Sequence, residues 1–326
     1  MARNKLTVVI PTKNDRDDIA DCLIALKKQT YKDFDILVVD GFSRDGTDVI
    51  AKRAGATVVY ENIGSRAGAM NVALKNIKTQ YWASTDADCI PPETWVADIV
   101  EALDSSQDNI AGVGGPNYAP KNATFFEKCV DVLFFSKITG QARYGMNKSG
   151  VFDTDHNPGC NAGYKTALTK DMWFEEYLPT AEDVVFDYKL RGRGKKILFA
   201  SWIAMFHHRR KTVRGLFKQL YHYGKGRAIA NTHYPALKTR MHPIPSLFVF
   251  WLIAGVIASP IKFWAWAIFS FSLIIYLFGI SMGCLESTSH YKTPLTNFGA
   301  ILLAPIAHVA WGLGYIAGYV HELRNR

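Results

Sequence analysis

Cysteine is scarce and scattered in this chain. Cys22, Cys89, Cys129, Cys160 and Cys284 are odd in number, and no two of them stand in C-x-x-C spacing. That pattern argues against a disulfide scaffold or a zinc site and fits a reducing compartment. Acid is missing where base is crowded: from Tyr188 to Arg227 there are twelve Lys or Arg and no Asp or Glu. Charge of either sign is missing from three long apolar runs, Ile244–Ile261, Phe263–Gly283 and Leu295–Val320. No signal peptide is expected, because Met1–Ile10 leads directly into a strand pattern. No G-x-G-x-x-G follows the first strand; Gly112-Val113-Gly114-Gly115-Pro116 comes late and has proline where a helix would have to begin. A dinucleotide-dependent oxidoreductase is therefore disfavoured.

The uncharged runs set the architecture. A helix needs roughly 20 apolar residues to cross the ~30 Å hydrocarbon core. The sequence thus predicts a water-soluble α/β domain followed by an α-helical transmembrane region of about three helices, over residues 244–261, 263–283 and 297–320. The basic stretch ends just short of the first run. Beside a membrane segment such a cluster favours the cytoplasmic face and anionic lipid or phosphate, and it is read that way rather than as a nucleic-acid surface. The expected divisions are a catalytic domain over 1–210, an amphipathic interfacial segment over 211–240 and a transmembrane domain over 241–326.

In the soluble part, apolar β-branched runs alternate with helical patterns, the mark of strand–helix units around a mostly parallel sheet. Strands are predicted at Leu6–Ile10, Phe34–Val39, Thr57–Tyr60, Tyr81–Thr85 and Ile110–Val113, with helices at Asp15–Lys28, Asp45–Ala54, Arg66–Lys78 and Pro92–Leu103. In open sheets of this kind ligands sit at the carboxyl ends of the strands. There stand Pro11-Thr12-Lys13-Asn14-Asp15, the Asp40–Thr47 loop and Asp86-Ala87-Asp88. Two carboxylates two residues apart can hold a hard divalent cation with phosphate oxygens. Most D-x-D sequences are solvated loops or helix caps, but here Asp40 brings a second acid-bearing loop to the same edge.

The order and spacing of Val8–Asn14, Val38-Val39-Asp40 with Asp45-Gly46-Thr47, Arg66–Asn71, Asp86-Ala87-Asp88 and Glu182-Asp183 resemble family 2 glycosyltransferases of the GT-A fold. The membrane tail is similar to that of the cellulose-synthase-like and polyprenyl-linked saccharide branches. The resemblance implies inverting, metal-dependent transfer of one sugar from a nucleotide diphosphate donor to a lipid-linked acceptor. Mannose from GDP-mannose is favoured over UDP-glucose or UDP-N-acetylglucosamine. It further implies that Pro11, Thr12 and Asn14 line the nucleotide pocket, that Asp40 contacts base or ribose, and that Arg66 lies near the donor phosphates. Asp88, helped by Asp86, would hold Mg²⁺ or Mn²⁺, and His208 in Met205-Phe206-His207-His208, ahead of His207, would supply a late metal or diphosphate ligand. Asp183 would be the general base, with Glu182 beside it. The reading that sets these two aside is helix-terminal charge, since acids in a first turn are favoured by the dipole. Asn161 and Tyr164 would form part of the acceptor and donor-sugar wall.

The chain also departs from the family. Gly41 and Phe42 follow Asp40 where a second acid is common, and Gln219 begins a segment that lacks the Arg-Trp pair of the processive Gln-x-x-Arg-Trp motif. Three spans cannot enclose a polymer channel alone, so single-sugar transfer is expected rather than processive polysaccharide synthesis. Lys211–Ile229 has the profile of a basic helix lying in the headgroup region. Gln219, Lys225 and Arg227 on it are expected at a lipid phosphate. Phe125–Ile138 has a similar stripe that suits core or membrane equally. Gly314-x-x-x-Gly318 offers a close-packing face, consistent with a homodimer or with the general abundance of glycine in membrane helices. A catalytically inactive membrane scaffold is the non-enzyme alternative, and it is expected to lack the carboxylates that this chain retains.

Overall fold

The computed structural model describes residues 4–136 and 149–325. In chain order the elements are β1 (Leu6–Thr12), α1 (Arg16–Lys27), β2 (Phe34–Asp40), α2 (Thr47–Arg53), β3 (Thr57–Tyr60), α3 (Arg66–Asn76), β4 (Tyr81–Ser84), β5 (Cys89–Ile90), α4 (Trp95–Asp104), β6 (Ile110–Gly114) and β7 (Asn117–Tyr118). They continue with α5 (Phe125–Phe134), β8 (Val151–Asp153), β9 (Ala162–Lys165), α6 (Thr166–Thr169), α7 (Glu182–Gly192), β10 (Lys196–Ala200), β11 (Met205–His207), α8 (Val213–His233), α9 (Ile244–Ala258), α10 (Phe263–Leu285) and α11 (Pro294–Arg324). The chain divides into two compact units. One comprises Met1–Pro120, Tyr144–Tyr177 and Glu182–His208, the other Lys121–Arg143, Leu178–Ala181 and Arg209–Arg326.

The first unit is built on an eight-stranded sheet in the order β3-β2-β1-β4-β9-β6-β10-β8. Its left half is parallel as expected, with β1 between β2 and β4. Val8, Val9 and Ile10 are wholly buried on both faces of β1, which is why that strand reads as a continuous apolar run rather than an alternating one. The right half is mixed, because β9 enters antiparallel between β4 and β6 and β8 pairs antiparallel with β10. A second small sheet joins β5, β11 and β7.

Aromatic packing locks the inserted strand in place. Trp82 on β4 stacks on Tyr164 of β9 with ring centroids 4.5 Å apart, and Phe186 of α7 meets Trp82 edge-on at 6.1 Å and stacks on Phe174 at 4.2 Å. Such pairs contribute about 0.5–1.5 kcal/mol each beyond area burial. The same cluster fixes the start of α7, and with it Glu182 and Asp183.

In the second unit, α8 packs along α11 through small residues. A Cβ on Gly314 would strike the Tyr221 carbonyl, and one on Gly318 the Lys225 carbonyl. The Gly314-x-x-x-Gly318 face is thus occupied by α8 of the same chain, which removes it as an argument for a homodimer. Helix α8 buries Leu216, Leu220 and Ala228 and leaves Val213, Arg214 and Lys218 exposed. The described part of the Phe125–Ile138 segment, α5, is core: Cys129, Val130 and Leu133 join a cluster with Leu216, Ala300 and Ala304. Ile138 itself lies outside the described residues.

The three apolar runs differ once folded. Helices Phe263–Leu285 and Pro294–Arg324 are long and apolar enough to cross a membrane, with mean hydropathies of 2.1 and 1.7. The first run gives only the 15-residue α9, which Ser259 caps; at 1.5 Å per residue that is about 22 Å, short of a single straight crossing. About half of α10 is exposed, Phe263 by 81% and Phe278 by 67%. An exposed apolar surface of this size marks an interaction or membrane site, and α10 is a candidate membrane span.

Candidate active site

Three parallel strands deliver their loops to one edge of the sheet. β1 ends at Thr12, β2 at Asp40 and β4 at Ser84, and registers Thr12↔Asp40 and Val9↔Ser84 align them. The first two loops are tied together: Gly41 N–H donates to the Thr12 carbonyl, Asn14 N–H to Ser43 Oγ at 2.8 Å, and Arg44 N–H to Asn14 Oδ1 at 2.9 Å. Asn14 takes a left-handed backbone, φ 58°, which its short polar side chain tolerates. Thr12 is buried and its hydroxyl donates to Asp15, and Pro11 is half-buried within β1. Of the expected nucleotide-pocket residues, Asn14 is the one that lines a cavity, of about 430 Å³, together with Lys13, Phe42, Arg44 and Glu61. Asp40 is fully buried. Its Oδ1 accepts from Ser43 N–H at 2.7 Å, and among the described residues no donor meets its Oδ2. A buried acceptor without a donor is costly, and an N–H from a bound base or a ribose hydroxyl would satisfy it. Glu61, which the sequence reading missed, shapes the cavity wall by accepting from Ile63 and Gly64 N–H.

Arg66 is the centre of the site. Its Nε reaches Asp86 Oδ1 at 3.1 Å, its Nη1 Glu182 Oε1 at 3.0 Å, and its Nη2 Ser84 Oγ at 3.2 Å. One guanidinium therefore joins the D-x-D loop to the Glu182-Asp183 pair. Burial works against its charge, but Asp86, Glu182 and Asp183 hold its pKa well above the usual value. Gly159 closes over the group; a Cβ there would lie 2.8 Å from Asp183 Oδ2 and 3.0 Å from both Arg66 Nη atoms.

The acid pair begins α7 after Ala181, whose φ of 67° costs of order 1–2 kcal/mol for a residue with a Cβ. Such strain persists only where surrounding structure over-determines it. Asp183 Oδ2 accepts from Gly159 N–H at 3.0 Å and Oδ1 from its neighbour Val184 N–H at 2.8 Å, while His156 Nε2 stands 3.8 Å away. Burial alone would raise Asp183; His156 and Arg66 overcome it and hold the carboxyl below the usual range. Glu182 moves the opposite way, raised by burial and by repulsion from Asp183. Two adjacent acids with pKa values pushed apart are a common arrangement at catalytic centres. His156 is anchored by Asp187, 3.1 Å from Nδ1. Neither residue was expected from the sequence, although Asp183 and Asp187 are four apart on one helix and so face the same way.

Asp86, Asp88 and His207 bring ligand atoms within 4.8 Å of one another. His207 Nε2 lies 3.2 Å from Asp88 Oδ1. Two carboxylates and an imidazole form a donor set that suits Mg²⁺ or Mn²⁺. The sequence ranked His208 ahead of His207; His207 joins the acids in this group, and His208 N–H donates to the Asp88 carbonyl at 3.2 Å. His207 is the last residue of β11 and pairs directly with Cys89, which brings it to the end of the Asp86–Asp88 loop. His207 is also raised well above the ordinary histidine value: burial opposes the charge, and Asp88 and Cys160 favour it. Cys160 lies 3.7 Å from His207 Nδ1. A hydrogen bond from Cys89 is the largest cause bringing the Cys160 thiol down to about 6, burial opposing and His207 assisting.

Two expected acceptor residues face the core instead. Asn161 is fully buried, bonded to Trp95 Nε1 at 2.8 Å and to the Ile203 carbonyl at 2.7 Å. Tyr164 is sandwiched by aromatics and donates to Asp187 at 2.8 Å. Neither is exposed as a residue of an acceptor wall would be. Gln219, Lys225 and Arg227 lie on α8, where Gln219 donates to Tyr223 at 3.1 Å and Arg227 is buried.

A family model described as glycosyl transferase family 2 matches residues 7–173, more than half of the chain. The chain belongs to glycosyl transferase family 2. Curated relatives match it along much of its length. A dolichyl N-acetyl-α-D-glucosaminyl phosphate 3-β-D-2,3-diacetamido-2,3-dideoxy-β-D-glucuronosyltransferase of Methanococcus voltae is 24% identical over 97% of this chain and 98% of its own length. Glycosyltransferase AglE of Haloferax volcanii is 26% identical over 68% of this chain and 72% of its own. Among solved structures, the mannosyltransferase PcManGT of Pyrobaculum calidifontis, in complex with GDP-Man and Mn²⁺, has TM-score 0.63 at 19% identity over 96% of this chain and 88% of its own. The fold is thus GT-A, followed by apolar C-terminal helices.

Proposed function

We propose that this family 2 protein is an inverting, metal-dependent glycosyltransferase that moves one sugar from a nucleoside diphosphate donor to a lipid-linked acceptor, a step in lipid-linked glycan assembly. The observation that carries the reading is the continuous chain Asp88, Asp86, Arg66, Glu182, Asp183, which sets a cation site and an ionised carboxylate on either side of one guanidinium. Asp183 takes the proton of the acceptor hydroxyl. The hydroxyl oxygen attacks the anomeric carbon on the face opposite the nucleotide, the bond from that carbon to the diphosphate breaks, and the configuration inverts. A divalent cation held by Asp86, Asp88 and His207 would neutralise charge on the departing diphosphate. Arg66 adds a fixed positive charge to the same side.

The acceptor class is supported by the M. voltae relative, whose name gives a dolichyl phosphate sugar, and by a helix suited to lipid in this chain. For the donor, GDP-mannose is the first candidate, being the ligand of the P. calidifontis complex; the glucuronosyl transfer of the M. voltae relative places uronic-acid donors beside UDP-glucose and UDP-N-acetylglucosamine in the same test. The basic stretch Tyr188–Arg227 supports a catalytic domain on the cytoplasmic face, residues 1–210, with 211–240 at the interface and 241–326 in the membrane. Purified full-length protein in detergent is to be titrated with a panel of nucleotide sugars with and without Mn²⁺ or Mg²⁺. The expected result is metal-dependent binding of one donor, lost in Asp88→Ala. Binding indifferent to metal and to Asp88→Ala would remove the transferase reading.

A further inference from the structure

Beside the second sheet stands a cluster of two cysteines with His207, and neither cysteine is used by any step of sugar transfer. Cys89 and His207 are directly opposite one another across the antiparallel pair of β5 and β11, and directly opposed residues present their side chains on the same face. Cys160, just before β9, completes a group in which both sulfurs and an imidazole nitrogen lie within 4.8 Å. Cys89 is fully buried and Cys160 nearly so. Asn117 Nδ2 donates to Cys160 Sγ at 3.0 Å, which orients the sulfur. The two nitrogens of His207 face different ways: Nδ1 lies 3.7 Å from Cys160 Sγ and Nε2 3.2 Å from Asp88 Oδ1.

The geometry points to a second metal site, for a soft or borderline cation such as Zn²⁺, formed by Cys89 Sγ, Cys160 Sγ and His207 Nδ1 with a fourth position open. With Zn–S of about 2.3 Å and Zn–N of about 2.05 Å, a tetrahedral centre separates sulfur from nitrogen by about 3.6 Å, close to the 3.7 Å found here. Asp88 then stands as the carboxylate that receives the far N–H of a zinc-bound histidine, the usual outer partner of such ligands. Binding expels the thiol protons. Its consequence rests on the transferase reading: a ring held by zinc at Nδ1 and by Asp88 at Nε2 is withdrawn from the Asp86–Asp88 cation site, so zinc opposes Mn²⁺. Two sites sharing one histidine sort cations by softness, thiolates taking zinc and carboxylates taking Mn²⁺ or Mg²⁺.

X-ray absorption at the zinc edge on full-length wild-type protein, loaded with one equivalent of Zn²⁺ under a phosphine reductant, tests the site directly. The expected shell holds two sulfur scatterers at about 2.3 Å. A shell of oxygen and nitrogen alone overturns the proposal, as does a sulfur shell that survives in the double variant Cys89→Ser/Cys160→Ser. Zinc is further expected to weaken Mn²⁺-dependent nucleotide binding about tenfold or more in the wild type and not in the double variant. Equal inhibition of both overturns the antagonism. A sulfur shell in a protein that shows no Mn²⁺-dependent nucleotide binding upholds the zinc site and removes the transferase reading instead.

Discussion

The two units invert the ordinary rule of what is buried. In the sheet unit, charged groups go inside: Asp40, Glu182 and Asp187 are all buried, and Arg66 lies among three carboxylates. In the helical unit, hydrocarbon goes outside: Phe271 and Ile274 of α10 are about two-thirds exposed. Both are expensive in water. Buried charge is tolerated when it is paired and hydrogen-bonded, and exposed hydrocarbon when the solvent is lipid. On the proposed reading each exception marks what the region meets, a charged ligand in one case and a bilayer in the other.

The comparison can be broken from either side. The largest effect is expected for Asp183→Asn, which keeps the shape and removes the base. Transfer should fall about 10³-fold while donor affinity in a titration stays nearly unchanged; full turnover would move the base elsewhere. Next is Phe271→Lys, which places a charge within α10 and should cost about 3 kcal/mol of membrane insertion, read as loss from the membrane fraction. If the variant partitions like the wild type, α10 does not face lipid. Gly159→Ala is expected to displace Asp183 and Arg66 by a fraction of an ångström and lower kcat about 10²-fold, with circular dichroism unchanged. The smallest effect is a shift in pH dependence. Because Asp183 lies below the usual carboxylate range, it is ionised at neutral pH, and the rate should decline only as pH falls through that lowered value. His156→Gln removes a positive neighbour but can still donate to Asp187. It should raise the Asp183 pKa and move the acid limb of the pH–rate profile upward. An unmoved limb would take His156 out of the account.

What could be read in advance followed signal strength. The strands β1 and β2 are seven-residue runs rich in β-branched residues, each followed by a helical pattern, so the parallel half of the sheet was legible. The antiparallel β9 was not: Ala162-Gly163-Tyr164-Lys165 has no alternation, and its place between β4 and β6 comes from the fit of Tyr164 on Trp82. Asn161 and Tyr164 were misplaced for that reason, since polar side chains before a catalytic helix look like ligands until their internal partners are seen. Asp86, Asp88, Glu182 and Asp183 could be singled out because motif order survives divergence, and Arg66 links them in the fold. The choice between His207 and His208 required the register of a three-residue strand; a clue was available in the shared face of Met205 and His207, since Met205 is fully buried. The zinc ligands were invisible because three short segments distant in sequence meet only after folding.

The position of β9 also bears on the order of assembly. Strands β3, β2, β1 and β4 come from the first 84 residues and can pair through local β-α-β units. β6 cannot join them directly, because the strand between it and β4 begins only at Ala162. The right half of the sheet thus closes late, through contacts distant in sequence, which form slowly. Glu182 and Asp183 follow that closure, so the loops after β1, β2 and β4 can be in place before the acid pair is. On the proposed reading, the chain acquires a place for the donor before it acquires the means to use it.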